Sequence, residues 1–195
     1  MNIFILFLIP YVAFAKLEIE IFGLAKCPHT NILFKNQLGP FFAKKNHQKL
    51  ADDVKIDWHI IPTGTKQVNG KVVATCPHGT LECELAKFQA CAKKYSNFTT
   101  GIVTVSCIQG GKLEDIEKCL ENHEKREEIR NCGVSQHGED LLFGEHMMRS
   151  KIAPNSYHIP WVQINGERNT EAETDFFKII CGFQQMKNTC SSTSQ

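Results

Sequence analysis

The chain has 195 residues, of which 42% are hydrophobic and 22% are charged, and its formal net charge is +1 at pH 7. This length is enough for one domain with a substantial hydrophobic core. Acidic and basic residues are mixed along the chain, and no basic block with interleaved aromatic residues occurs, so we expect no nucleic acid partner.

The apolar N-terminus, residues 1–15, is predicted to be a secretory signal peptide. It is almost wholly apolar from Ile3 onward, but Pro10 interrupts it, and it is shorter than the roughly 20 residues that a membrane span needs. Small residues at Ala13 and Ala15 have the spacing of a cleavage site, so we expect cleavage after Ala15. A buried N-terminal strand is the alternative. No later stretch is long and apolar enough to cross a bilayer, so we expect no stable membrane insertion.

The first predicted strand leads directly to a candidate active site. Apolar and charged residues alternate over Leu17–Phe22, as in a half-buried strand, and the residues after Thr30 are typical of a helix. Cys27 therefore lies at a strand-to-helix junction, where unpaired backbone N–H groups favour the thiolate over the thiol. A protonated His29 would add to this effect. Cys27 to Thr30 thus has the position of a thioredoxin-type Cys-x-x-Cys site whose second cysteine is Thr30; a buried or disulfide-paired Cys27 is the alternative.

The next elements predict a parallel strand–helix–strand unit. We expect a helix over about His29–Lys45, bent or interrupted near Gly39-Pro40, and a strand over Val54–Ile61. A strand, a helix of this length and a second strand make a parallel pair with a crossover connection. A short extended piece is expected at Lys71–Ala74.

A helical block and a closing hairpin follow. The pattern is helical from Gly79 to about Lys151, and a strand over Ile159–Ile164 then leads into the turn Asn165-Gly166, which is a strong hairpin signal. A last helix begins near Asp175. This order predicts an α/β, thioredoxin-like domain over 16–195 with a helical insertion at about 76–152. The segments expected within the insertion are Ile102–Ile108, Leu113–Leu120 and Glu139–Ser150.

Pro160 is the second candidate residue of the active site. Thioredoxin folds place a cis-proline at the start of the strand that faces the active cysteine, where a backbone edge stays open for an extended substrate. Ile159-Pro160-Trp161 stands at the matching point of this chain. The alternative is an ordinary trans-proline at the first residue of a strand.

Nine cysteines lie in the chain after residue 15, and this density in a secreted protein predicts disulfides. Because nine is an odd number, at least one thiol is left over, and we expect it to be Cys27. The other eight are predicted to form structural disulfides of open connectivity: Cys76, Cys83, Cys91, Cys107, Cys119, Cys132, Cys181 and Cys190. The sequon at Asn97 predicts surface glycosylation.

The densest motif is the segment from Cys76 to Cys91. Three cysteines and His78 make a zinc site one interpretation, but the spacing is not that of paired Cys-x-x-Cys knuckles and the compartment favours oxidation. On a helix that starts after Gly79, Cys83 and Cys91 are about 12 Å apart along the axis. They should therefore bridge to other elements rather than to each other, which favours a structural anchor.

This motif resembles the signature of the gamma-interferon-inducible lysosomal thiol reductases and their invertebrate relatives. The signature has the form C-Q-H-G-x-x-E-C-x-x-N-x-x-x-x-C, with Pro77 here in place of the glutamine and Ala86 in place of the asparagine. The resemblance runs from Leu17 to Cys190. Six residues match the signature in identity and spacing: Cys76, His78, Gly79, Glu82, Cys83 and Cys91.

The resemblance implies a secreted or lysosomal enzyme that reduces disulfides of protein substrates, with a thioredoxin-like fold and no bound cofactor. The family's first catalytic cysteine corresponds to Cys27 and its second to Thr30, which makes this chain a divergent member with the active site Cys-Pro-His-Thr. Pro28-His29 also resembles the dipeptide of bacterial periplasmic disulfide oxidases, which supports a reactive thiolate at Cys27.

Thr30 determines how far the reaction can proceed. In a dithiol reductase the second thiol displaces the reduced substrate from the mixed disulfide that the first thiol has formed. A hydroxyl is too basic for that attack, although Thr30 could donate a hydrogen bond to the Cys27 thiolate. We therefore expect a monothiol reductase or isomerase that needs an external thiol such as glutathione or cysteine. The alternative is a catalytically impaired, secreted binding or immunomodulatory protein on the same scaffold.

Overall fold

The computed structural model describes residues 16–44, 54–187 and 190. The predicted signal peptide, residues 1–15, and the expected end of the first helix at Lys45 lie outside the described residues. Six strands are present in this part of the chain: β1 (Leu17–Gly23), β2 (Val54–Ile60), β3 (Gly64–Val68), β4 (Lys71–Thr75), β5 (Trp161–Ile164) and β6 (Glu167–Arg168).

Eight helices accompany these strands in the described part of the chain. The first, α1, is continuous but has three parts, which are α-helical at Pro28–Asn31, π-helical at Ile32–Leu38 and α-helical again at Gly39–Phe42. The others are α2 (Thr80–Tyr95), α3 (Phe98–Ile108), α4 (Leu113–Leu120), α5 (Arg126–Gly133), α6 (Gln136–Ile152), α7 (Thr170–Thr174) and α8 (Phe176–Gly182), followed by a 3-10 turn at Gln184–Met186. None of the helices described has the length and apolar character needed to cross a membrane.

The central sheet has the strand order β2-β1-β5-β6. β1 and β2 are parallel over their whole length, from Leu17 opposite Val54 to Gly23 opposite Ile60, while β5 is antiparallel to β1 and β6 is antiparallel to β5. The alternation over β1 places Leu17, Ile19 and Ile21 in the core. The predicted parallel unit and the predicted hairpin at Asn165-Gly166 are both confirmed.

The first helix departs from the predicted shape. We expected a bend or interruption near Gly39-Pro40, but α1 runs through this pair, and the π-helical part lies before it. Pro40 has no backbone N–H and its ring would meet the carbonyl of the residue four positions earlier in a regular α-helix. The wider π turn, in which the Gly39 N–H reaches the Phe34 carbonyl, makes room for the proline without ending the helix.

The short extended piece predicted at Lys71–Ala74 is half of a hairpin. β3 and β4 pair in an antiparallel two-stranded sheet through a turn at Asn69 and Gly70, whose φ angles are 51° and 77°. Such positive φ values at two successive residues suit an Asn-Gly pair and match the twist of a tight hairpin. The same dipeptide signal identified the hairpin at Asn165-Gly166.

Helices α2 to α6, between β4 and β5, form the helical insertion. One cluster of buried hydrophobic side chains runs from the sheet into this insertion and includes Ile19 of β1, Phe34 of α1, Leu85 of α2 and Ile129 of α5. The insertion therefore shares its core with the sheet, and burial of these side chains stabilises both parts together, by about 1.5–3 kcal/mol for each large side chain.

Four disulfides join the eight cysteines predicted to be structural: Cys76–Cys83, Cys91–Cys132, Cys107–Cys119 and Cys181–Cys190. As predicted, α2 is tied at two levels, since Cys83 bonds to the loop before the helix and Cys91 bonds to α5. The zinc interpretation of this segment is wrong, because the sulfur atoms that would bind the metal are used in disulfides.

Candidate active site

Cys27 is the N-cap residue of α1, at the junction that the sequence predicts. Its backbone is extended, with φ −65° and ψ 126°, and Pro28 follows at the first helical position, where its missing N–H costs nothing. The Cys27 carbonyl accepts the first helical hydrogen bond, from the Asn31 N–H at 2.9 Å. The described residues include all nine cysteines, and Cys27 is the one that forms no disulfide. Its sulfur therefore stands at the end of a helix where backbone N–H groups favour negative charge.

The Cys27 thiol contacts the loop that leads into β5. Its Sγ–H donates to the Ile159 carbonyl oxygen at 3.6 Å, a long contact that suits a sulfur donor. The peptide bond between Ile159 and Pro160 is cis. Cys27 is 8% exposed and packs in a small apolar cluster with Phe22 and Leu24, against which Trp161 lies. The structure thus brings together the two segments, around Cys27 and around Pro160, that the sequence marks as candidates.

Thr30 points away from the Cys27 thiol. Its side chain is fully buried, and its hydroxyl accepts a hydrogen bond from the Leu24 N–H at 3.3 Å. A Cβ added at Gly23 would lie 2.5 Å from the Thr30 methyl group, so the two residues are in close contact. The hydrogen bond that Thr30 could donate to a Cys27 thiolate is not among those of the described residues, because the hydroxyl points to the preceding loop. Pro28 and His29, by contrast, are exposed beside the thiol.

Three hydrogen bonds fix the loop between β1 and Cys27 to the helical insertion. The Lys26 N–H donates to Glu82 Oε1 at 3.0 Å, the Gln109 side-chain amide donates to the Leu24 carbonyl at 2.8 Å, and the Gly110 N–H donates to the Ala25 carbonyl at 2.8 Å. Sequence reasoning missed Gln109 and Gly110 and gave Glu82 no contact with the site. No local signal identifies them, because each bond joins residues more than 50 positions apart.

His78 and Glu82 of the motif face each other at the start of α2. Glu82 is 1% exposed, and its two oxygens accept from His78 twice, Oε1 from the ring Nδ1 at 2.8 Å and Oε2 from the backbone N–H at 3.0 Å. Gly79, the N-cap residue of α2, has a φ of 88°, which lies in the region that favours glycine. The motif therefore reaches the loop of Cys27 through Glu82.

A second polar cluster lies between the sheet and the insertion. The buried His59 contacts Glu145 of α6 at 2.5 Å through Nδ1 and Glu20 of β1 at 2.9 Å through Nε2. Burial acts to lower the pKa of His59, but the hydrogen bonds that its ring donates to Glu145 and Glu20 outweigh burial, so the pKa is raised above 6.5. Glu20, Asp57 and His59 lie close enough to share a cation, and the Lys93 ammonium group lies beside them, 2.9 Å from Asp57 Oδ1.

Comparison with known protein families identifies relatives of this chain. The family model described as gamma interferon inducible lysosomal thiol reductase (GILT) matches residues 18–123. A GILT-like protein of Caenorhabditis briggsae is 30% identical over 177 residues, which cover 85% of this chain and 78% of that protein. The gamma-interferon-inducible lysosomal thiol reductase of Mus musculus is 27% identical over 146 residues, which cover 68% of this chain and 58% of the mouse protein.

Solved structures similar to this one include bacterial DsbA proteins. Chlamydia trachomatis DsbA superposes with a TM-score of 0.60 at 12% identity, covering 94% of this chain and 91% of that one. Reduced DsbA1 from Neisseria meningitidis superposes with a TM-score of 0.51 at 14% identity, with coverage of 94% and 91%. At these identities the likeness shows the fold alone, and it confirms the predicted thioredoxin-like α/β fold with its helical insertion.

Proposed function

The chain belongs to the gamma-interferon-inducible lysosomal thiol reductase family, and we propose that it reduces disulfides of protein substrates through one nucleophilic cysteine, Cys27. The observation that carries this proposal is the position of Cys27, which is unpaired, caps the N-terminus of α1 and touches the cis-proline loop at Ile159. The thiolate form of a cysteine is the nucleophile in disulfide exchange.

The first half of the reaction uses groups of this chain. The Cys27 thiolate attacks one sulfur of a substrate disulfide, a new bond forms between that sulfur and Cys27 Sγ, and the substrate's second sulfur leaves as a thiolate that takes a proton from water. The backbone at Ile159 and Pro160, next to the attacking sulfur, offers an edge on which an extended substrate segment can lie.

The second half needs a thiol from outside the chain, because the residue at the resolving position is Thr30. A small thiolate such as that of glutathione or cysteine attacks Cys27 Sγ in the mixed disulfide and releases the reduced substrate. A second small thiolate then attacks the small thiol bound to Cys27, which yields a small-molecule disulfide and regenerates the Cys27 thiolate. One substrate disulfide is reduced and two small thiols are oxidised, so the electrons balance.

Two features of the chain support an oxidising compartment, either the lysosome or the extracellular space. The four disulfides are of the kind that persists in secreted proteins and is rare in the cytosol. Asn97 of the sequon is exposed, and its Oδ1 caps α3 by accepting the Thr100 N–H, which leaves its nitrogen available for a glycan.

The second candidate function is that of a binding protein on the same scaffold. It is favoured by Thr30, whose buried hydroxyl is bound to the Leu24 N–H and lacks the chemistry of a resolving thiol. In this case Cys27 would form a lasting mixed disulfide, or none, and the protein would not turn over.

Turnover of a self-quenched peptide disulfide, with and without glutathione, tests the proposal. We expect continuous reduction by the wild type only with glutathione present, accumulation of a covalent adduct in its absence, and loss of both in Cys27→Ser. Mass spectrometry of the adduct should locate the attached peptide at Cys27. Adduct formation without turnover at any glutathione concentration would favour the binding protein. A wild type that forms no adduct and shows no turnover, like Cys27→Ser, would show that Cys27 is not a nucleophile and would refute the proposed enzyme.

A further inference from the structure

We infer that Glu82 is a positioning residue of the active site, which holds the loop of Cys27 in place from the helical insertion. The inference rests on the proposed function, since it assumes that Cys27 is the reacting thiol. It gives the family signature a role in the thiol chemistry, beyond the structural anchor that its cysteines suggest.

The loop of Cys27 is tied to the insertion at each of its three preceding residues. Leu24 and Ala25 are held through their carbonyl groups by Gln109 and Gly110 at the end of α3, whereas Lys26 is held through its N–H by Glu82 of α2. The Lys26 bond lies directly before the reacting residue. Loss of this bond leaves the Lys26 N–H, one peptide group before the Cys27 N–H, without its acceptor on the buried Glu82. The thiol is then free to move away from the Ile159 carbonyl.

Glu82 is itself held in one position by its neighbours. A buried carboxylate is costly unless hydrogen bonds stabilise its charge, and here three donors do so, two from His78 and one from Lys26. The disulfide between Cys76 and Cys83 closes the short segment around His78 and Gly79, and Gly79 supplies the positive φ that turns the chain into α2. The five signature residues from Cys76 to Cys83 thus form one unit that directs the Glu82 carboxylate at Lys26.

Three variants test this role. Glu82→Ala removes the acceptor of the Lys26 N–H, Glu82→Gln keeps one oxygen that can accept it, and Glu84→Ala is the matched control. Glu84 also neighbours Cys83 on α2 and is partly exposed, but its carboxylate pairs with Lys87 at 2.8 Å. All three are measured as full-length proteins whose four disulfides have been verified by mass spectrometry.

The chemical readout is the single-turnover rate at which Cys27 forms a mixed disulfide with the peptide disulfide, followed from pH 4 to pH 9. We expect Glu82→Ala to lower this rate by about tenfold to a hundredfold, the range that a misplacement of about 1 Å produces. Glu82→Gln should recover part of the loss, and Glu84→Ala should stay within about twofold of wild type, a factor equivalent to only a few tenths of a kcal/mol. In guanidinium chloride all variants should react alike, because the unfolded thiol has no fixed position.

The structural readout is amide hydrogen exchange at Lys26, which does not depend on any reaction of Cys27. We expect this amide to be protected in wild type and in Glu84→Ala, and to exchange faster in Glu82→Ala. If Glu82→Ala does not fold, two other variants take its place. These are Glu82→Gln and Gln109→Ala, the second of which releases the same loop from the end of α3. Slower adduct formation in both variants than in wild type supports the inference. Wild-type rates together with an unchanged Lys26 amide in the folded variants would overturn it.

The two proposals fail separately in these measurements. A wild type that forms the adduct but never turns over with glutathione contradicts the proposed enzyme, while the adduct rates still report on Glu82. A wild type that forms no adduct contradicts the proposed function, and exchange at Lys26 then decides whether Glu82 holds the loop.

Discussion

Thr30 fills the space beneath the loop of Cys27, where its methyl group lies against Gly23 and its hydroxyl accepts the Leu24 N–H. The side chain is therefore part of the packing that supports the loop. A cysteine has nearly the same volume as threonine, so its side chain would fit this fully buried position. The site should accept this change with a loss of stability of about 1–3 kcal/mol, mainly because the buried Leu24 N–H loses its oxygen acceptor.

Thr30→Cys should convert the protein into a dithiol reductase. Residues three apart on a helix lie on one face, so the new thiol would stand within reach of a mixed disulfide at Cys27. We expect faster product release than in wild type, no dependence on glutathione when a dithiol donor is supplied, and no accumulated adduct. Thr30→Ser, which keeps a hydroxyl, is the matched control. An adduct as persistent in Thr30→Cys as in wild type would contradict this prediction.

The signals for Cys27 and Pro160 could be read in the sequence because they are local. A strand, a cysteine and a helix in succession place the thiol at a helix end, and a proline before a short strand marks the loop opposite. The bond between Lys26 and Glu82 could not be predicted, because it spans 56 positions and depends on how the insertion docks on the sheet. The burial of Thr30 has the same origin, since it depends on the close approach of Gly23.

At the scale of elements, the helices of the insertion approach one another through small residues. A Cβ added at Gly133, the last residue of α5, would lie 2.5 Å from the ring of Phe88 on α2, beside the disulfide between Cys91 and Cys132. Gly144 of α6 has no atom within 4 Å of its added Cβ, so a side chain there meets no obstacle. The two glycines thus differ in packing although both are helical.

Gly133→Ala should destabilise the protein by about 1–3 kcal/mol, because the buried Phe88 ring has to move. Gly144→Ala should instead stabilise it by about 0.5–1 kcal/mol, since alanine loses less backbone freedom than glycine in a helix. Both are measured by urea unfolding with the disulfides intact. Equal effects of the two substitutions would show that the contact between α5 and α2 is not as close as described.

The hydrophobic periodicity of the sequence predicted which segments are helices and which are strands, but it did not predict two details of these elements. The first detail is the π-helical part of α1, which allows the helix to continue past Pro40. The apolar pattern is the same on both sides of the proline, so it does not distinguish a continuous helix from a helix that breaks there. The strand β3 is polar and exposed over most of its length, so it has no alternation to detect. Its pairing with β4 depends on the turn at Asn69-Gly70.

At the scale of the whole molecule, the cluster around His59 joins the sheet to the insertion. Glu20 of β1 and Asp57 and His59 of β2 meet Lys93 of α2 and Glu145 of α6. The His59 ring is buried between two carboxylates, and its protonated form donates a hydrogen bond to each. The sheet and the helical insertion are therefore connected through His59, whose charge depends on the pH.

The thermal stability of the protein should fall as the pH rises from 5.5 to 8.5. The pKa of His59 is raised in the folded protein, so the folded state holds its proton more tightly than the unfolded state. Its contribution is present in full below 6.5, the unfolded value, and is lost as the pH rises through the folded pKa. We expect the melting temperature to drop by a few degrees across this interval and the drop to shrink in His59→Gln.

His123 provides a control of opposite sign for this prediction. Burial lowers the pKa of His123, so this residue disfavours the folded state at low pH instead of at high pH. His123→Gln should therefore leave the drop between pH 6.5 and pH 8.5 unchanged. A wild-type melting temperature that is flat across this interval would contradict the assigned role of His59.

Cys27 precedes all eight paired cysteines in the chain, while the Ile159 carbonyl that covers its sulfur comes after the whole insertion. During synthesis from the N-terminus, an uncovered thiol is thus present while six of its eight possible wrong partners emerge from the ribosome. Exchange between Cys27 and these cysteines is available until β5 has been made. We expect a mistaken bond to be displaced by exchange with another thiol, so that the first disulfides within reach of Cys27 are those of its own chain.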